Sequence, residues 1–259
     1  MYVNTSGIVL RETAYRESSK ILTVLTGGEG KLTVAAHGAL RRNSKLAAVT
    51  QLLAFSEMTL YSRRDRWTMT EARSVEQFLG LRDDIALLSL GAYIAELTEA
   101  VADEDSPNPD LLPLCLNALY ALSEKIKEPE YVKPAFELRL MSVSGFQPLL
   151  DRCVVCGRED PERVILDLAG GTMRCVGCRP ATGADYAGGE AAALSAALSA
   201  GALSAARYIL CCDAKKLFSF SISAAALREL SAAAEGFLLA HLDRSFRTLD
   251  YFKGIGKNK

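Results

Sequence analysis

The chain has 259 residues, 49% apolar and 24% charged, with a formal net charge of −1. That length holds one large core or two to three small domains, and the composition is ordinary for a globular protein. No run approaches the roughly 18–20 apolar residues of a membrane helix, and MYVNTSGIVLRETAYRESSK has no basic stretch leading an apolar core, so a soluble, cytoplasmic protein is expected.

The first eighty residues read as strands. GIVLRET, KILTVLT and KLTVAAHG are short apolar-rich runs, followed by LLAFSEMTLYS and RWTMTEARSV. Gly27, Gly28 and Gly30 break the second run from the third, as a hairpin turn does. In the fourth run Leu53, Phe55, Thr59 and Tyr61 share one face and Leu52, Ala54, Met58 and Leu60 the other. Apolar residues on both faces suit a small closed barrel, and five strands in this length match an OB-fold.

The pattern turns helical near Gly80. Asp83 or Asp84 caps a helix through IALLSLGAYIAELTEAVA, the acidic, Pro-broken DEDSPNP follows, and LLPLCLNALYALSEKIK is the next helix. YVKPAFELRLMSV is a third, with Gly145 as its stop. Beyond the cysteines, the Ala/Ser-rich GADYAGGEAAALSAALSAGALSAARYILCC reads as short packed helices carrying Leu194, Leu198 and Leu203. SAAALRELSAAAEGFLLAHLDRSFRTLDYF reads as one long amphipathic helix, with Leu227, Leu230, Ala234, Phe237 and Leu238 on its apolar stripe and a frayed GIGKNK tail. The expected class is α+β multidomain: an OB-fold β-barrel at 1–79, one α-helical domain from 80–150 and 181–259, and a four-cysteine zinc module inserted at 151–180.

Cys153, Cys156, Cys175 and Cys178 follow C-x2-C-x18-C-x2-C. Two thiols three residues apart on a tight turn point at one ion, and the eighteen-residue excursion returns a second such turn. Gly157 and Gly177 stand where the backbone is tight, and Gly170-Gly171 supplies a hairpin turn between VILDL and TMRC. Four thiolates fill a tetrahedral Zn2+, leaving no position for water or substrate, so a structural ion is expected. A zinc deaminase wants a His-x-Glu or Cys-x-Glu upstream, and Arg174 rather than Pro precedes Cys175. A redox Cys-x-x-Cys wants a βαβ setting that is missing; thiols without a metal are the bland alternative. Cys115, Cys211 and Cys212 are expected to pack as small hydrophobes.

Neither histidine, His37 or His241, sits in a nucleophile motif, and there is no phosphate-loop sequence; no catalytic residues and no small-molecule substrate are expected. Charge is more informative. Residues 1–80 hold eleven Lys/Arg against seven Asp/Glu, and residues 81–150 hold five against twelve. HGALRRNSK places Arg41, Arg42 and Lys45 in one loop, and SRRDRW places Arg63, Arg64 and Arg66 beside Trp67 at the next turn. Two such loops on a barrel read either as a single-strand track, cations for phosphates and rings for bases, or as a solvated rim with Trp67 in the core.

These residues also carry a resemblance. The opening GIVLRETAYRESSKILTVLTGGEGKLTVAAHGALRRNSK, the region QLLAFSEMTLYSRRDRW, the stretch FELRLMSVSGFQPLLDRCVVCG with its Gly-Phe-x-Pro before the first cysteine pair, and the closing HLDRSFRTLDYF are similar to the RecO family of bacterial recombination mediators over the full length. The resemblance implies a non-enzymatic protein that binds single- and double-stranded DNA, anneals complementary strands, and with RecR helps RecA displace single-strand-binding protein, whose acidic C-terminal tail it also binds. It implies a cytoplasmic, nucleoid-associated location. The family's DNA contacts carry over to Arg41, Arg42 and Lys45, then to Arg63, Arg64 and Arg66. Lys133, Arg139, Arg244 and Arg247 are candidates for the acidic tail. A zinc-containing scaffold that binds proteins and no DNA is the alternative.

Overall fold

The computed structural model describes residues 1–64, 66–104, 106–178 and 194–256. Short apolar-rich runs bounded by turns build five strands: β1 (Tyr2–Tyr15), β2 (Ser19–Thr26), β3 (Gly30–Ala36), β4 (Phe55–Arg63) and β5 (Arg66–Glu76). They close in the order β1-β2-β3-β5-β4, with β1 paired to β4 and a short parallel seam between β3 and β5. The inward side chains Val9, Leu22, Val24, Leu32, Val34, Met58, Leu60 and Met69 form one core, and Trp67 packs against it. Closure leaves no free sheet edge.

The chain divides into two compact units, Met1–Ile126 with Phe246–Lys259, and Lys127–Ser245. The helices expected to form one domain are shared between them. In the first unit the barrel is joined by α1 (Ile85–Val101), α2 (Leu111–Ser123) and α6 (Arg247–Gly256). Asp84 caps α1 by accepting from the Ala86 N–H at 2.7 Å. Lys31 of β3 donates to the Glu99 backbone carbonyl at 3.1 Å, and Arg11 of β1 pairs with the Glu99 carboxylate at 2.9 Å, so this one acidic residue of α1 is spent on the barrel. Tyr93 meets Phe246 edge-on at 5.9 Å. Cys115 is fully buried in α2, and burial pushes its thiol up to about 12.

The second unit holds α3 (Pro129–Val143), α4 (Ala200–Cys211) and α5 (Ala224–Leu242) around a small sheet of β6 (Arg163–Asp167), β7 (Met173–Cys175) and β8 (Ser195–Ser199), ordered β7-β6-β8. Gly145, at φ +87°, follows the end of α3. Its N–H reaches Ser142 O and the Phe146 N–H reaches Met141 O at 2.8 Å, the paired bonds of a Schellman cap. The Gly-Phe-x-Pro stretch is therefore a helix stop that turns the chain toward the cysteines.

Two expectations are corrected. The long C-terminal helix is two helices: Asp243 adopts a left-handed conformation (φ 45°), ending α5, and Phe246 then enters the core of the first unit. Residues 195–199, expected to be helical, form a strand, because all five pair with β6 and tertiary pairing overrides an Ala/Ser composition of weak β-preference. Leu198 is buried there and Leu203 in α4, while Leu194 is exposed. Residues 179–193, the tail 257–259 and Asp65 lie outside the described residues. Among the described residues no helix is long and apolar enough to cross a membrane.

Inside the second unit Lys133, 6% exposed, lies 2.8 Å from the buried carboxylate of Glu137 and 2.9 Å from Glu235 of α5. Burial alone lowers the lysine, but the two carboxylates outweigh it and hold it above its ordinary range. The pairing is therefore intact at neutral pH and goes only as pH rises past that range. Lys133→Met strands Glu137 as a buried, uncompensated charge and is expected to cost about 3–5 kcal/mol in urea unfolding. Lys133→Met/Glu137→Leu recovers most of it; a single variant within about 1 kcal/mol of the parent contradicts the account.

Glu229 of α5 accepts from the Ser199 N–H at 2.8 Å and meets Arg163 at 3.1 Å. Hydrogen bonds from Ser199, its hydroxyl first, then its backbone, and the charge of Arg163 outweigh partial burial and hold this carboxylate below its ordinary 4.5. Its contribution is present above that pH and is lost as pH falls through the depressed value. Glu229→Gln is expected to flatten the acid limb of stability against pH; an unchanged limb contradicts this.

Candidate metal centre and nucleic-acid interface

The four cysteines meet. Cys175 ends β7 and Cys178 follows on a tight turn closed by Cys178 N–H to Cys175 O at 3.0 Å. Cys153 and Cys156 lie on a matching turn, closed by Gly157 N–H to Cys153 O at 2.9 Å, where Gly157 takes φ +73°. All four Sγ atoms lie within 4.8 Å of one another, and Cys156 and Cys175 sulfurs are 3.7 Å apart. A tetrahedron of sulfurs about 2.3 Å from one ion has edges of about 3.8 Å, so this donor set fits a single tetrahedral metal ion. Burial raises the Cys153 thiol, but N–H donors from Cys156, Cys175 and Val155 bring it down to about 6; Cys175 is pushed up to about 12, first by burial and then by its neighbouring thiols. Clustered thiols resist ionising together, and a divalent cation reverses that penalty.

The clamp is built from further away. The β6–β7 turn is set by Asp167, whose Oδ1 accepts from the Ala169 and Gly170 N–H groups at 3.0 Å. Arg207 of α4 reaches both sides of the first knuckle, donating to Leu150 O at 2.6 Å, Asp151 O at 2.9 Å, the Glu159 carbonyl, and Asp160 Oδ1 at 2.8 Å. Nothing in the local cysteine pattern signals this arginine, which lies 29 residues past Cys178.

The basic loop leaves β3 at His37. Its two ends are anchored by the Glu-Ser-Ser-Lys stretch. Leu40 N–H donates to Ser18 O at 3.0 Å, Gly38 N–H to Ser19 Oγ at 3.4 Å, and Lys20 donates to Thr50 O at 3.2 Å while pairing with Glu12. Ala39, Leu46 and Val49 extend the barrel core. That leaves Arg41, Arg42 and Lys45 exposed, without a carboxylate partner among the described residues. Tyr15, 42% exposed under the Arg16 guanidinium, lies at the β1–β2 tip that Ser18 ties to this loop.

Arg63 and Arg66 face each other across the β4–β5 turn, and Arg64 sits within it at φ 51°; all three are exposed. The parallel register sets Val34 against Trp67 and Ala35 against Thr68. Arg66 is thus level with Thr33, and the basic loop departs four residues along the same seam, about 13 Å away at 3.3 Å per residue. Elsewhere on this unit Arg11 and Arg73 are paired to Glu99 and Glu57.

Other candidates are spoken for. Lys133 is committed to its buried carboxylates, and Arg139 donates to Cys212 O and, at 3.2 Å, to Cys212 Sγ. Arg244 and Arg247 are exposed, in different units. His241 Nδ1 contacts Phe237 O at 2.9 Å, with its ring against Phe237 and Phe146, a structural setting. Cys211, expected to pack, is exposed, because it ends α4 on the solvent side; Cys212 is half-buried.

The first unit is thus a closed five-stranded OB-type barrel with a cationic loop at either end of its parallel seam, and the second unit carries a four-thiol cluster. The family model "Recombination protein O N terminal" matches residues 1–78, and "Recombination protein O C terminal" matches residues 82–250. The DNA repair protein RecO of Acetivibrio thermocellus is 31% identical over 258 residues, covering 100% of this chain and 99% of that protein. That of Caldicellulosiruptor bescii is 30% identical over 253 residues, 98% of each chain, and that of Symbiobacterium thermophilum 31% over 252 residues, 96% and 95%. The chain belongs to the RecO family of DNA repair proteins.

One bound metal ion per chain is expected from elemental analysis. Arg207→Met leaves all four thiols in place but loosens the first knuckle, so metal affinity is expected to fall roughly 10–100-fold in competition with a chromophoric chelator. Unchanged affinity contradicts a positioning role for Arg207.

Proposed function

We propose that this protein is a non-enzymatic recombination mediator whose barrel binds single- and double-stranded DNA and anneals complementary strands, and which, with RecR, helps RecA load onto strands coated by single-strand-binding protein. The observation that carries the reading is the anchored loop with Arg41, Arg42 and Lys45 exposed. Complementary strands repel, and a cationic surface that displaces their counterions lowers that repulsion. Contacts to phosphates, without readout of base edges, leave the bases free to pair.

In this reading the metal is Zn2+, a structural ion held by Cys153, Cys156, Cys175 and Cys178; the closed thiolate set supports a clamp and not a catalytic water site. Arg63, Arg64 and Arg66 extend the DNA contact. The acidic tail of single-strand-binding protein docks on basic residues of the helical segments, for which Lys133, Arg139, Arg244 and Arg247 are the sequence candidates; Lys133 and Arg139 already have partners inside the second unit. The protein works in the cytoplasm at the nucleoid.

The test is binding and annealing of labelled oligonucleotides without nucleotide. Arg41→Ala/Arg42→Ala/Lys45→Ala removes three phosphate contacts, so the slope of log affinity against log salt on single strands should become shallower by about 2, and annealing should slow. Unchanged affinity and slope move the interface elsewhere. A parent protein without DNA affinity at moderate salt points to a protein-binding scaffold instead.

A further inference from the structure

The outward residues of the barrel form an unbroken row. Tyr2 pairs with Tyr61, Tyr61 with Thr68, Thr68 with Ala35, Ala35 with Ile21, and Ile21 with Thr13. From Tyr61 to Thr13 the row crosses four strand spacings, about 19 Å at 4.8 Å each, and carries no charge. At its start stand two tyrosines in contact, ring centroids 4.9 Å apart and tilted by 44°. Tyr2 is 67% exposed, which a core aromatic is not.

Tyr61 and Arg63 lie two apart on β4, and Thr68 and Arg66 two apart on β5, so all four side chains share the outer face of one hairpin. Arg63 and Arg66 are directly opposed. Like charges in that position destabilise a strand pair, and among the described residues no carboxylate pairs with either. A phosphate between them relieves the repulsion, and the nucleotide attached to it is then within reach of the Tyr61–Tyr2 ring pair.

We propose that Tyr2 and Tyr61, with Arg63 and Arg66, form a base-stacking station that accepts an unpaired nucleotide of single-stranded DNA and so favours single strands over duplex. This rests on the reading of the barrel as a DNA-binding surface. A base already stacked in duplex does not offer its face to Tyr2, whereas an unpaired base does, and aromatic stacking is tolerant of sequence. The arginines hold phosphate in either case. The station thus separates two jobs: charge for affinity, rings for strand selectivity. Its release when a complementary strand arrives follows from the same property, because pairing removes the base from the ring.

The test uses the full chain with three probes of equal length: oligothymidylate, an abasic strand with the same phosphates, and a duplex. Tyr2→Ala is expected to weaken oligothymidylate binding about 5- to 150-fold, the effect of losing one stacked base, and to leave the abasic strand and the duplex unchanged, while Tyr2→Phe binds like the parent. An equal loss on all three probes, or no loss on oligothymidylate, overturns the proposal. Photocrosslinking of an iodouracil-substituted strand to the parent protein is expected to mark Tyr2 or Tyr61; crosslinks only elsewhere overturn it independently of how any variant folds. A parent that binds none of the probes removes the underlying DNA-binding reading, whereas a parent that binds oligothymidylate as tightly as Tyr2→Ala does removes only the station.

Discussion

The barrel is closed by a very short contact, the parallel pairing of Val34 with Trp67 and Ala35 with Thr68. Without it, β3 and β5 are edges with unpaired backbone groups, and the inward set from Val9 to Met69 has no enclosed volume to fill. Closure also sets where the two basic loops lie. It brings a loop that follows β3 and a turn that precedes β5 to the two ends of one seam, although 18 residues separate Lys45 from Arg63. The loop does not hang free: its apolar side completes the core, and the Ser18, Ser19 and Lys20 anchors fix its path.

Charge is sorted with the same economy. One acidic residue of α1, Glu99, holds the barrel, its carboxylate pairing with Arg11 and its backbone carbonyl accepting from Lys31. Basic residues divide by partner: Arg11 and Arg73 are paired on the barrel, and Lys133 is buried in the second unit, while the arginines of the two loops face solvent. In the second unit the four thiols draw two tight turns onto one point, and Arg207 braces the first of them from α4.

Much of this is legible in the chain alone. The five strands read out because each is a short apolar-rich run bounded by turn residues; the cysteine clamp reads out because ligand spacing is itself the signal. What does not read out depends on partners distant in sequence. β8 looks helical until β6 supplies its ladder, and Asp243 looks like one more helical residue until Phe246 finds its pocket beside Tyr93. Lys133, a sequence candidate for the acidic tail, is buried between Glu137 one turn on and Glu235 of α5, the second of which is far along the chain. The Tyr2–Tyr61 pair has no local pattern at all, since only the β1–β4 register brings two ordinary strand residues together.

The central claim is that the barrel's outer wall, between the two basic loops, is where a single strand lies. Hydrogen–deuterium exchange of the full chain with and without oligothymidylate tests it most directly. The account predicts slowed exchange in residues 37–45 and 61–68, with the backbone of the cysteine knuckles unchanged. Protection confined to residues 127–245, or none at saturating strand, would contradict it.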